Sequence, residues 1–590
     1  MKLFPVASLF LLLLTIRAFA QQPPFSLVPT TLPQLSYSAC AWCDYDHDGD
    51  LDLALMGAEG NDPLTKIFRN DNGSFTDIQA NLLSLHFGSI QWGDYNNDGD
   101  QDLLVTGIES QGTAHTGIYN NVNGVFTGSG IALPGVMDGQ ACWGDLDNDG
   151  NLDILLAGSG MSAIFRNDGN GQFTTVNAPL PAVTTAMCCW NDYNNDGQSD
   201  VLVCGDTGGG IVSKLYRNNH GMFTEVIITP EPFTGLYGGQ AKFADLDNDG
   251  DQDLVITGMD LYVDGYFLLY RNDGNDHFTK FAENTANLLN PTFDLGDYDA
   301  DGLPDIILMG TISGCGGAAV TILMQNLGFI SFFNVSSLLP GYKLGEVAWA
   351  DYNNDGLTDL LFTGLDAYDA PKTQLYLNNL GNPTTFNINT PPSPPQGVSV
   401  STEPGITKLQ WNSSTDTQTP KEALTYNIRI GTLPDSYEIL APLAVLYNGA
   451  RTITAPGNAS ADTNWKISGL PGGTYFFSVQ AIDNGFMPGA FSSAVMFTSQ
   501  TVGMVDQADQ CNIGPNPFTD KLYIRVAGNP AKTGEAEKNN VSVLIMNSTG
   551  QIQYRGEHTN ELNVSSWPSG VYLLQARKGD AVFTRKLIKE

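Results

Sequence analysis

The sequence predicts an all-β protein, a seven-bladed β-propeller followed by two small β-sandwich domains. Three observations predict it. A nine-residue acidic word recurs seven times, at a period of about fifty residues. The segments between copies are short apolar runs broken by Gly and Asn turns, with no long helical period. Beyond residue 390 the acidic word stops, and alternating strand-like runs continue between Pro- and Gly-containing turns.

The chain has 590 residues, too many for one ordinary core, so several domains are expected. A hydrophobic fraction of 42% favours folded domains over disorder. With 64 Gly and only 15% charged residues, the composition suits short strands and tight turns better than long helices. The net charge of −36 argues against a nucleic-acid partner. Of the 63 acidic residues, 28 lie in the seven loops and all of these are Asp, so the charge gathers where a cation can sit.

Residues 1–20 read as a signal peptide. Lys2 precedes an apolar run from Leu3 to Ile16, and Ala18-Phe19-Ala20 is a small-x-small cleavage site before Gln21. The run is short for a membrane anchor, and no other stretch could span a bilayer, so the mature chain is expected to lack a transmembrane segment. The eight cysteines match no zinc spacing. Export permits disulfides. Cys188 and Cys204 are equidistant from Asp196, so a hairpin centred there could pair them; buried free thiols are the alternative.

The repeats span residues 21–390. Their loops start at Asp44, Asp94, Asp145, Asp192, Asp245, Asp297 and Asp351, spaced by 50, 51, 47, 53, 52 and 54 residues. That period fits a four-stranded blade. Two positions before each loop stands Trp42, Trp92, Trp143, Trp190, Phe243, Leu295 or Trp349, expected in the blade core. An apolar run and a Gly at a fixed offset follow, then in most units a Tyr/Phe-Arg-Asn turn such as Tyr216-Arg217-Asn218. Seven copies favour a closed ring, which buries faces that a single blade would expose.

Each loop carries oxygen side chains at positions 1, 3, 5 and 9 and Gly at 6. The sets are Asp44, Asp46, Asp48 and Asp52; Asp94, Asn96, Asp98 and Asp102; Asp145, Asp147, Asp149 and Asp153; and Asp192, Asn194, Asp196 and Asp200. The last three are Asp245, Asp247, Asp249 and Asp253; Asp297, Asp299, Asp301 and Asp305; and Asp351, Asn353, Asp355 and Asp359. Calcium, a hard cation, takes six to eight oxygens in a flexible shell, so up to seven ions are expected. The carbonyl at position 7 would add a ligand, and Gly at 6 permits the sharp turn. With no His or Cys at these positions, zinc and copper are disfavoured. An EF-hand is excluded, because its position-12 Glu is replaced by Leu55, Val105, Leu156, Val203, Ile256, Leu308 and Phe362.

This array resembles the FG-GAP or VCBS-type repeats and is similar to the propeller of integrin alpha chains. The resemblance, over roughly residues 30–390, implies calcium in hairpin loops on one face and ligands on the opposite face or rim. The FG and GAP words are mostly eroded here, so integrin-like adhesion stays an analogy.

Pro391-Pro392-Ser393-Pro394-Pro395 reads as a stiff linker opening a domain over 391–500. That domain looks like fibronectin type III, with Trp411 in its core and Tyr475 as corner tyrosine. Residues 511–590 form a small β-sandwich with a basic last strand. Gly514-Pro515-Asn516-Pro517, Gly550-Gln551 and Pro568-Ser569-Gly570-Val571-Tyr572 resemble the type A sorting domain of type IX secretion substrates. The resemblance implies a Bacteroidetes-like source, the type IX machinery as partner, and a secreted or outer-membrane surface location.

No catalytic motif is present: no G-x-S-x-G, H-E-x-x-H or P-loop, and six His in all. The chain is therefore read as a non-enzymatic calcium-binding surface module for extracellular polysaccharide or protein. Two alternatives stay open. One is a calcium-dependent polysaccharide-degrading lyase or hydrolase; an unpaired cluster of Lys, Arg, Tyr or His at the ring's central opening would favour it. The other is a purely structural surface component.

Overall fold

A computed structural model describes residues 24–380, 390–499 and 511–589, with short breaks inside each range. The signal-peptide reading lies outside the described residues. All assigned elements are strands. The chain divides into two compact units, residues 1–499 and 500–590.

Seven four-stranded antiparallel sheets carry the acidic words, one each. They are numbered here as blades 1 to 7: strands within residues 36–77, 90–128, 140–176, 184–225, 241–284, 288–335 and 347–378. The first six blades order their strands as in the sequence. Blade 7 takes its fourth strand from the other end of the chain, Phe25–Val28, which pairs with Pro371–Asn378. That exchange ties the start of the repeat region to its end. Phe25-Ser26-Leu27-Val28 carries no repeat word, so the closing strand was not legible in the sequence.

First strands of neighbouring blades lie against one another around a central channel. The cores sit between blades. One cluster joins Cys142 and Leu155 of blade 3 to Cys188 and Val203 of blade 4, and another joins Trp42 and Leu53 of blade 1 to Leu361 and Leu375 of blade 7. The residues before each loop belong to these cores: Trp42, Trp92, Phe243, Leu295 and Trp349 are buried, and Trp143 and Trp190 half-buried. Glycine makes this packing possible. A Cβ on Gly144 would stand 2.5 Å from the ring of Trp190, so the indole of one blade lies flat on the backbone of the last.

The register corrects one expectation. Cys188 pairs with Val203, and Cys204 with Met187. A shift of one residue puts side chains on opposite faces. Cys188 therefore packs toward blade 3 and Cys204 toward blade 5, and both are free thiols.

An innermost edge strand exposes unpaired N–H groups. Side chains of the preceding blade satisfy several here. Gln140 accepts from Cys188 N at 2.9 Å, Gln240 from Phe293 N at 2.9 Å and Glu346 from Cys40 N at 2.7 Å. At the channel end away from the acidic loops, the residue seven before each loop is left-handed in all seven blades: Tyr37, Phe87, Asp138, Thr185, Gly238, Asn290 and Leu344. That conformation turns the N–H sideways. Tyr37 N donates to Leu344 O at 2.7 Å, Phe87 N to Tyr37 O at 3.3 Å and Asp138 N to Phe87 O at 3.1 Å, binding blades 7, 1, 2 and 3 in sequence.

Within the same unit, two three-stranded sheets follow the propeller, Gln396–Glu403 with Ile406–Asn412 and Asn464–Ser468, and Thr425–Gly431 with Gly473–Ile482 and Val495–Ser499. They share a core that includes Trp411, Tyr426, Trp465, Tyr475 and Phe477. The proline stretch is docked rather than free: Pro392 and Pro395 are buried, and Ser393 N donates to Thr415 O at 2.8 Å. The second unit holds a three-stranded sheet (Cys511–Gly514, Lys521–Val526, Leu562–Asn563) and a four-stranded one. The last strand, Ala581–Lys589, pairs with Gly570–Lys578.

Candidate metal centres

Each acidic loop connects the first and second strands of its blade, and its backbone is wound around its own carboxylates. The position-1 Asp accepts two N–H bonds, from positions 5 and 6. In loop 2 these are Asp98 N to Asp94 Oδ1 at 3.1 Å and Gly99 N to Asp94 Oδ2 at 2.8 Å, and all seven loops repeat the pair. The position-9 Asp opens the second strand and is fully buried in every blade. One of its oxygens accepts from the N–H of an Asn ending the third strand, as with Asn218 N to Asp200 Oδ1 at 2.7 Å.

The remaining oxygens decide what the loop can do. Burying a carboxylate oxygen without a partner is costly. Every loop nonetheless holds one: Asp46 Oδ1, Asp102 Oδ2, Asp147 Oδ1, Asp200 Oδ2, Asp247 Oδ1, Asp299 Oδ1 and Asp359 Oδ2. It belongs to position 3 where that residue is Asp, and to position 9 where position 3 is Asn. In four loops three carboxylates converge, with ligand atoms all within 4.8 Å: Asp44, Asp46 and Asp48; Asp145, Asp147 and Asp153; Asp245, Asp247 and Asp253; and Asp297, Asp299 and Asp305. These triads, each with at least one buried carboxylate, can hold a metal ion. In the other three loops, Asn96, Asn194 and Asn353 replace the position-3 carboxylate.

The electrostatics agree. Burial pushes Asp52, Asp102, Asp200, Asp253 and Asp359 up to about 8 and Asp153 to about 9. Without a cation the fold therefore takes up protons that the unfolded chain does not bind between the ordinary carboxylate range and pH 8–9. Stability from these groups is complete at low pH and lost as pH rises through their folded values. We expect the melting temperature in chelator to fall steadily from pH 5 to pH 9. A saturating divalent cation should flatten that slope, and adding it at pH 7 to weakly buffered protein should release protons. Scanning calorimetry and a pH electrode test both.

Two sets of residues escaped the sequence reading. The third-strand Asn was seen only as part of a turn word. It is a latch between blades: Asn70, Asn121, Asn167, Asn218, Asn272, Asn326 and Asn378 are all buried, and each Nδ2 donates to the position-2 carbonyl of the preceding loop. Asn70 reaches Tyr352 O at 2.8 Å and so closes the ring from blade 1 to blade 7. Position 4 is left-handed in all seven loops, and in five of them its side chain reaches the next loop, whereas Ala300 of loop 6 has no polar side chain to do so. Asn97 Nδ2 donates to Gly150 O at 2.9 Å, Asn354 Nδ2 to Gly49 O at 3.0 Å, and His47 Nε2 lies 3.0 Å from Gly99 O. Most of the centres are thus mechanically joined.

The channel does contain a charged group. Lys242 Nζ sits 2.6 Å from Asp294 Oδ1, and burial raises the nearby Glu346 to about 7. This is a paired cluster, unlike the one that would signal catalysis. Asp294 also accepts from Trp349 N at 2.8 Å, and Glu346 from Cys40 N, so both carboxylates hold strand edges.

The family model described as FG-GAP-like repeat matches residues 44–105, 145–190, 192–256, 245–308 and 297–362, each match beginning on the first Asp of a loop. Five stretches of the propeller are FG-GAP-like repeats. The model described as secretion system C-terminal sorting domain matches residues 512–590. This FG-GAP-like protein therefore carries the tail of a type IX secretion substrate, which directs export to the cell surface or extracellular space. Among the described residues no helix is long and apolar enough to cross a membrane. No curated protein matches the chain. Solved structures resemble it at low identity. An Agrocybe aegerita lectin that recognises non-reducing terminal N-acetylglucosamine is 17% identical, over 59% of this chain and 87% of that one, with a TM-score of 0.36. AofleA from Arthrobotrys oligospora is 12% identical over 53% and 89%, TM-score 0.32, and the V. cholerae biofilm matrix protein Bap1 10% over 92% and 97%, TM-score 0.28.

Proposed function

We propose that this FG-GAP-like protein is a calcium-stabilised binding module, displayed at the cell surface or released, that holds an extracellular polysaccharide or protein. The position 1, 3, 5 and 9 side chains of the seven loops are its calcium ligands. The observation that carries this reading is the buried, unpartnered carboxylate oxygen present once in every loop. A turn built only for shape would satisfy that oxygen or replace it. All-oxygen donors in an irregular loop favour calcium over softer metals, and over magnesium, which keeps its waters. Bound there, calcium would supply charge neutralisation and rigidity rather than reaction chemistry. The propeller, residues 21–390, is the binding part, 391–500 a spacer, and 511–590 the export tail read by the type IX machinery.

A calcium-dependent polysaccharide-degrading enzyme is the competing reading. Its best residues, Lys242, Asp294 and Glu346, are hydrogen-bonded to one another or to backbone N–H groups. The test is a panel of polysaccharides presented to the intact protein in calcium and in chelator, scored for retention and for released product. Calcium-dependent retention without product is expected. Product release would make the protein an enzyme.

A further inference from the structure

The left-handed ring at the channel mouth away from the acidic loops does more than its backbone requires. That conformation is costly for residues with large or branched side chains and easy for Gly and Asn. Blades 5 and 6 use Gly238 and Asn290 at this position, whereas blades 1, 2, 4 and 7 use Tyr37, Phe87, Thr185 and Leu344, and of these four only Tyr37 and Phe87 are aromatic. Strain held by its surroundings points to function. The two rings pack against each other in a tilted arrangement, with centroids 4.4 Å apart and an interplanar angle of 32°. Tyr37 is 37% exposed. Beside them His86 stands edge-on to Phe87 at 4.7 Å, its Nδ1 buried from solvent. The next residue around the ring is Asp138, an exposed residue whose carboxyl interacts electrostatically with His86.

We propose that this mouth is a carbohydrate subsite: the Tyr37–Phe87 pair takes the C–H face of a pyranose ring, and Asp138 takes its hydroxyls. An apolar aromatic floor with a few convergent polar groups is the general form of a small-ligand site. The ligand class follows from charge. Asp138 at the mouth and a net charge of −36 repel a polyanion, so the sugar is a neutral one. The assignment rests on the binding-module reading and adds its place and ligand class.

The test uses the intact protein in calcium, with neutral oligosaccharides of glucose, galactose, mannose and N-acetylglucosamine and an oligouronate as probes, read by titration calorimetry. Tyr37→Asn and Phe87→Asn remove the rings while keeping the left-handed backbone. At least one neutral probe should bind the wild type, and each variant should weaken it tenfold or more, with melting temperature unchanged or raised. Asp138→Asn should weaken it several-fold. Tyr368→Asn, at an aromatic 91% exposed elsewhere, should leave it unchanged. Full binding by the Tyr37 and Phe87 variants would overturn the site and leave the binding-module reading standing. Preference for the oligouronate would overturn the ligand class. Silence of the wild type toward every probe would overturn the site together with the polysaccharide branch of that reading.

Discussion

Chelating calcium from the native protein should lower its melting temperature by roughly 20 °C, or abolish cooperative unfolding of the propeller. Extracellular calcium modules bind with Kd of about 10⁻⁴ to 10⁻³ M. At about 1 mM calcium, a site with Kd near 0.1 mM adds about 1.4 kcal/mol, so seven add about 10 kcal/mol. A typical domain is stable by about 5–15 kcal/mol in all, and about 2 °C per kcal/mol is reasonable for a large domain. Removing the ions also leaves clustered, desolvated carboxylates facing one another. Because position-4 side chains tie most loops to the next, as Asn195 Nδ2 does to Gly250 O at 3.0 Å, the sites should fill over a narrower calcium range than independent sites. Calorimetry across a calcium titration reads both effects. Magnesium at equal concentration should restore little. A melting temperature indifferent to chelator would show that the ions, if bound, do not hold the fold.

Asn218→Ala should cost about 3 kcal/mol without touching any proposed ligand side chain. The amide donates to Leu146 O of the preceding loop at 2.7 Å and to Ser199 O at 3.0 Å, and accepts from Gly221 N at 2.8 Å. Alanine strands two buried carbonyls, each worth about 1–3 kcal/mol when unsatisfied, and leaves a small void. The backbone bond from Asn218 N to Asp200 survives, so the loss isolates the inter-blade latch. Met222→Ala, at an exposed position on the same blade, should change stability by less than about 0.5 kcal/mol. Denaturant unfolding in saturating calcium measures both. Equal, small effects would mean that the blades cohere through their apolar cores alone.

The acidic loops were legible because their chemistry is local: four spaced side chains and a Gly define them within nine residues. The latches were not, because their partners are remote. Asn218 and Leu146 are 72 residues apart, and Asn70 and Tyr352 are 282 apart. Nothing near a Tyr-Arg-Asn word says which blade its amide will reach. The Cys188–Cys204 expectation failed on register, since symmetry about Asp196 does not specify how the hairpin pairs, and a single residue decides the face. Lys242 and Asp294 occupy the same place in their blades, three before the loop, where other blades carry Gln, Cys or Ala. Their convergence appears only when the ring closes. The left-handed mouth is hidden for the same reason, because Tyr37 and Phe87 bear no local sign of the sideways hydrogen bonds that turn them.

The most direct test of the central claim is the calcium content of the intact protein after dialysis against about 1 mM calcium, set beside that of Asp102→Asn and Asp200→Asn. These two variants each remove the charge on an unpartnered oxygen. The account predicts several ions per chain, up to seven, with each variant holding about one fewer. Calcium no higher than in the dialysis buffer, or a content that neither variant changes, would contradict it.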